Sequence, residues 1–122
     1  MATDERGATR PVPQVDVRET QRRVAGGAGG EEAGAVLIDV REQWEYLQER
    51  APGAILIPLS QFVRRYEEIP RDREALLICH SGQRSLQAAM FLRRQGYERV
   101  GNVSGGMEAW EMAGLPVERG RA

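Results

Sequence analysis

The sequence predicts an α/β domain in which a largely parallel sheet of about five short strands carries helices on both faces. Three observations point there. Continuously apolar runs recur at 35–38, 54–57 and 75–78, too short for helices and suited to strands buried on both faces, as strands of parallel sheets are. Segments with helical spacing lie between them, and Gly or Pro punctuates the joins, so strand and helix alternate along the chain. The chain has 122 residues and no internal repeat, which suits one domain with a single core.

Residues 1–12 are polar and small, and Pro11 and Pro13 punctuate the stretch, which reads as a disordered leader to a domain over 13–118. A short extended piece at Gln14 and Val15 leads to Asp16, which caps a helix running to about Val24, with Glu19 placed for a capping box. Residues 26–34 are too rich in glycine for regular structure and read as a flexible surface loop. The second strand ends in the charged residues Asp39 and Arg41. These read as structural, pairing with each other or capping the helix that follows from Glu42 to about Gln48. Pro52-Gly53 turns the chain into a strand that Pro58 stops, and Ser60 is placed to cap a helix through Glu68. The strand 75–78 is followed by a loop and then a helix with Ala88, Ala89 and Leu92 on one face, closing toward Gly96. A weaker fifth strand covers 99–103. A short helix closed by Gly114 follows, on which Met107, Trp110 and Met112 read as core packing. Leu115-Pro116-Val117 ends the ordered chain, and 119–122 form a tail.

Composition narrows the function. All 17 basic residues are arginine and 18 residues are acidic, a formal net charge of −1, so no net field draws nucleic acid or an anionic membrane. The amino-terminal residues lack the apolar segment of a secretion signal, and the apolar runs are far shorter than a membrane span, so the protein reads as cytoplasmic. One cysteine and one histidine build neither an internal disulfide nor a structural zinc site, so no metal is expected.

That one cysteine, Cys79, closes the apolar run 75–78 and precedes the helix, which places it where ligand sites of open α/β sheets gather. Unpaired N–H groups at a helix start carry partial positive charge toward a sulfur anion, and Arg84 adds a fixed charge in the same loop. Both lower a thiol pKa from its reference of roughly 8.5. Gly82 lets the loop curl by taking a positive φ. A lone cysteine at the end of a buried strand is commonly inert core. Here the Ser81-Gly82-Gln83-Arg84-Ser85 that follows favours a nucleophile.

Four blocks in order resemble the rhodanese, or sulfurtransferase, family in its small single-domain form, over about 14–117. They are Leu37-Ile38-Asp39-Val40-Arg41, Pro52-Gly53-Ala54-Ile55-Leu56-Ile57-Pro58-Leu59, Cys79-His80-Ser81-Gly82-Gln83-Arg84-Ser85, and Ser104-Gly105-Gly106-Met107-Glu108-Ala109-Trp110. The resemblance implies that Cys79 takes a sulfane sulfur from a small donor, thiosulfate or a persulfide, and passes it to a thiol, cyanide or a protein acceptor, without a cofactor. It also implies that His80, Ser81, Gly82, Gln83, Arg84 and Ser85 bind the substrate, their N–H groups cradling the persulfide, with Arg84 on an anionic donor. Glu49-Arg50-Ala51 stands where the family commonly has Gly-His-Ile, and Arg50 reads as a solvated charge. His80 adjoins the nucleophile, but sequence neighbours usually point apart, so it is not assigned as a base. Two other classes stay open: a non-catalytic binding or regulatory module, and a cysteine-dependent phosphatase. The phosphatases place one more residue between Cys and Arg than the four found here, and the shorter loop suits a single sulfur better than a phosphoryl group.

Overall fold

The computed structural model describes residues 11–25 and 34–121, so the expected leader through residue 10 and the glycine-rich loop up to residue 33 lie outside the described residues. The strands are β1 (Gln14–Val15), β2 (Val36–Asp39), β3 (Ile55–Leu56), β4 (Ala75–Ile78) and β5 (Val100–Val103), and the helices α1 (Val17–Ala25), α2 (Gln43–Gln48), α3 (Phe62–Arg65), α4 (Gln83–Arg94) and α5 (Gly106–Met112). The strands form one sheet in the order β1-β5-β4-β2-β3, and every pairing is parallel. β2, β4 and β5 are buried throughout. Burial on both faces is why β4, and β2 up to Asp39, read as apolar runs rather than alternating ones, while β5 carries Gly101 and Asn102.

Alternation along these strands builds two cores. Val36, Ile38, Ala75, Leu77 and Cys79 face one way, against Phe62, Ile69, Ala88, Ala89 and Leu92. Leu37, Leu76 and Ile78 face the other way, against Val17, Met107 and Trp110. Parallel pairing sends every strand to the same edge, so Asp39, Cys79 and Ser104 gather where β2, β4 and β5 end. Val12, placed by sequence in the leader, is buried in the first core, and the Pro13 carbonyl accepts from Asn102 N–H at 2.9 Å.

Local expectations differ from the structure at four further places. The stretch 59–68 is not one Ser60-capped helix: α3 is a single turn between two short 3₁₀ segments, and the Ser60 hydroxyl donates to Glu42 at 3.2 Å instead. Asp16 does cap α1, accepting from Glu19 N–H at 2.8 Å, but the Glu19 carboxylate turns to Arg22 and Arg23 rather than back to the cap. Met112 is 88% exposed and not core. It lies two residues past Trp110, about 200° further round the helix, so it leaves the face that Met107 and Trp110 bury.

Arg50 is the fourth correction: it is 3% exposed rather than solvated. The chain after Val117 folds back and pairs with it, each of Arg50 and Glu118 donating its N–H to the other's carbonyl at 2.9 Å. The guanidinium donates to the carbonyls of Tyr46 at 3.1 Å and Gly120 at 2.7 Å and lies 4.7 Å from the centre of the Tyr46 ring. The ordered chain therefore extends beyond Val117.

Candidate active site

Cys79 directly follows β4, and α4 begins at Gln83, so the four residues Cys79 to Gly82 turn the chain from strand to helix. Gly82 makes the turn at φ 102°, a region that costs a side chain dearly. Its N–H points to Sγ at 3.0 Å, and the Ser85 hydroxyl lies 3.3 Å from the same sulfur. A second strand-to-helix turn clamps the loop from the other side. The N–H groups of Met107 and Glu108 donate to the carbonyls of Cys79 and His80 at 2.8 and 3.0 Å. A Cβ on Gly106 would sit 2.3 Å from the Cys79 carbonyl oxygen, so the approach requires glycine there. This gives the Gly105-Gly106 block a role at the site.

Cys79 is 1% exposed. Burial by itself pushes its thiol pKa up. The Ser85 hydroxyl and the N–H groups of Ser85, Gly82 and Ser81 outweigh that burial, and the thiol stands below its ordinary range. The lowering therefore comes from loop hydrogen bonds rather than chiefly from Arg84. Both Nη groups of Arg84 are held by the Glu45 carboxylate, at 2.9 and 3.0 Å. That pairing is the main reason Glu45 sits below the usual carboxylate range. Arg41 is tied to Asp39 in a buried pair, with Nη2 to Oδ2 at 2.8 Å, which is the structural role expected of them.

The His80 side chain turns outward, 57% exposed, with Nε2 3.8 Å from Glu108. The Ser81 N–H faces the sulfur, and Gln83 is the first residue of α4. A cavity of about 490 Å³ opens beside the loop, walled by Trp44, Glu45, His80, Arg84, Met107 and Glu111 among others. Among the described residues no cluster of His, Cys, Asp or Glu is arranged to hold a metal, and no helix is long and apolar enough to cross a membrane.

Two site residues escaped the sequence. Glu45 holds Arg84 while its Oε1 accepts from Glu42 N–H at 2.9 Å at the start of α2, and its three-residue spacing from Glu42 was the available signal. Asn102 is 2% exposed on β5. Its Oδ1 accepts from the Ser85 hydroxyl at 2.6 Å, and its Nδ2 donates to the Gly82 carbonyl at 3.1 Å and to Gln14 Oε1 at 3.2 Å. A polar amide within a buried strand signals a network, without naming the partners.

The family model described as Rhodanese-like domain matches residues 28–113. A curated protein named Sulfurtransferase, from Allochromatium vinosum, is 37% identical over 106 residues, covering 87% of this chain and 94% of that protein. A thiosulfate sulfurtransferase named GlpE, from Actinobacillus pleuropneumoniae, is 34% identical over 88 residues, covering 72% of this chain and 82% of that protein. Among solved structures, a rhodanese-related protein of Thermoplasma volcanium superposes with a TM-score of 0.76 at 25% identity, covering 87% of this chain and 97% of that one.

Proposed function

Because the chain belongs to the rhodanese-like domain family, we propose that it is a sulfurtransferase in which Cys79 carries a sulfane sulfur from a small donor such as thiosulfate to a thiophilic acceptor. The observation that carries this reading is the loop closed on one sulfur: the Gly82 N–H points to Sγ at 3.0 Å, and the Ser85 hydroxyl oxygen lies 3.3 Å from it. In the first step the Cys79 thiolate attacks the outer sulfur of thiosulfate. A bond from Sγ to that sulfur forms, the donor's S–S bond breaks, and sulfite leaves with the electron pair. In the second step a thiolate or cyanide attacks the outer sulfur of the Cys79 persulfide, the Sγ–S bond breaks, and its electrons restore the thiolate. Sulfur moves and no electron is gained or lost by the protein, so the cycle draws on no cofactor.

Intact-protein mass spectrometry tests it. Thiosulfate should add the mass of one sulfur atom, cyanide should remove it, and Cys79→Ser should show neither change. An aryl phosphate offered to the same preparation should release no phosphate. Phosphate release that Cys79→Ser abolishes, together with no sulfur on Cys79, would assign the protein to the phosphatases.

A further inference from the structure

We infer that Asn102 is a positioning residue that sets the ionisation of Cys79 by holding the proton of Ser85 away from the sulfur. The Ser85 hydroxyl stands between two acceptors, Asn102 Oδ1 at 2.6 Å and Cys79 Sγ at 3.3 Å, and it has one proton to donate. The amide cannot turn to relieve the competition. Its Nδ2 faces two acceptors, the Gly82 carbonyl and Gln14 Oε1, and rotating it would set an oxygen against each of them. Oδ1 therefore always points at Ser85. Cys79, Ser85 and Asn102 are all buried, so an acceptor left without a donor there is costly.

The two states of the thiol use this network differently. With Cys79 protonated, the S–H donates to Ser85 Oγ and the Ser85 hydroxyl donates to Asn102 Oδ1, and every group is satisfied. With Cys79 ionised, Ser85 either turns its proton to the sulfur and strips Oδ1 of its donor, or keeps its bond and leaves the sulfur to the backbone N–H groups. Asn102 thus opposes the lowering that the loop produces. A less stabilised thiolate is also the better nucleophile, since nucleophilicity falls with pKa. The charged groups around the sulfur are Arg84 of α4 paired with Glu45 of α2, Asp39 paired with Arg41 after β2, and His80 beside Glu108 of α5. A substitution at Asn102 alters none of these charges, so a shift on its removal reports the Ser85 proton.

The test reads the thiol rather than the transfer reaction, so it stands or falls separately from the sulfurtransferase assignment, although its purpose rests on it. The chain has a single cysteine, and its thiolate absorbance against pH, with Cys79→Ser as the blank, is therefore unambiguous. Asn102→Ala should lower the Cys79 pKa by about 0.5 to 1 unit, the worth of one hydrogen bond moved to the sulfur. In a Ser85→Ala background the same substitution should produce no shift, because there is no proton left to redirect. An unchanged or raised pKa in Asn102→Ala, or an equal shift with and without Ser85, overturns the inference. Should Asn102→Ala not fold, the infrared S–H stretch of the unsubstituted protein decides. It should lie at lower frequency than in Ser85→Ala, and coincident bands would show that the thiol does not donate to Ser85 and would overturn the inference.

Discussion

Arg84 is five positions from the nucleophile in sequence, yet its two Nη groups face Glu45 on another helix. On the proposed sulfurtransferase reading, an anionic donor would meet a guanidinium whose charge is already shared and whose planar fork is fixed in place. Arg84→Ala should lower kcat/KM for thiosulfate by about 10- to 100-fold, the range for losing a charge-assisted hydrogen bond. Arg84→Lys should fall between, since lysine keeps the charge and loses the fork, and steady-state kinetics giving three equal values would place Arg84 outside the site. The depressed Cys79 pKa makes a prediction with a definite sign. Its folded value lies below that of the unfolded thiol, so the acid limb of the transfer rate should level off before the pH at which the unfolded thiol ionises. Stability relative to Cys79→Ser should rise as pH climbs from the folded value to the unfolded one, and should be absent below the folded value. A rate still rising at a pH where the unfolded thiol is already ionised would contradict the lowered thiol.

At the level of elements, two strand-to-helix turns interlock, and each needs a glycine for its own reason. Gly82 supplies the positive φ that brings an N–H onto Sγ, while Gly106 supplies room for the carbonyls of Cys79 and His80. An Ala at 106 would place its Cβ 2.3 Å from one of those oxygens and 2.6 Å from the other, at a φ of 57°. Backbone must move on one side or the other. Gly106→Ala should cost about 2 to 3 kcal/mol of stability and reduce transfer, because the displaced loop carries the sulfur. Denaturant melts check it, and a midpoint equal to the parent's would show that the turn has slack. The same interlock explains why a short helix at the end of the chain belongs to the site, although only its core face was legible beforehand.

For the whole molecule, the carboxyl-terminal strip acts as a clasp. Residues 118 and 120 supply a carboxylate 3.7 Å from Arg50 Nε and a carbonyl 2.7 Å from its Nη1, and Gly120 N–H reaches the Leu47 carbonyl at 2.7 Å. Arg50 is buried, so removing residues 118–122 leaves a desolvated charge with few partners. The expected loss is about 3 kcal/mol, or a melting temperature lower by about 10 °C at this size. Thermal unfolding of the shortened and full chains measures it. A change of less than about 2 °C would mean that Arg50 finds water or new acceptors once the clasp is gone.

The sequence by itself determined the layered α/β fold, the parallel sheet and the position of Cys79 at the end of its most buried strand. These features follow from contiguous residues: an apolar run such as 75–78 shows its burial within its own span, and the switch from strand to helical spacing shows the turn. It also carried the pairing of Asp39 with Arg41, whose partners are two residues apart. Only the tertiary structure decided who holds Arg84, what buries Arg50 and which amide competes for the proton of Ser85. Those partners lie 39, 70 and 17 residues away along the chain. A polar side chain in a sequence declares that it needs a partner, and the hydrogen bond that satisfies it forms only when packing brings two distant elements within 3 Å or so of each other.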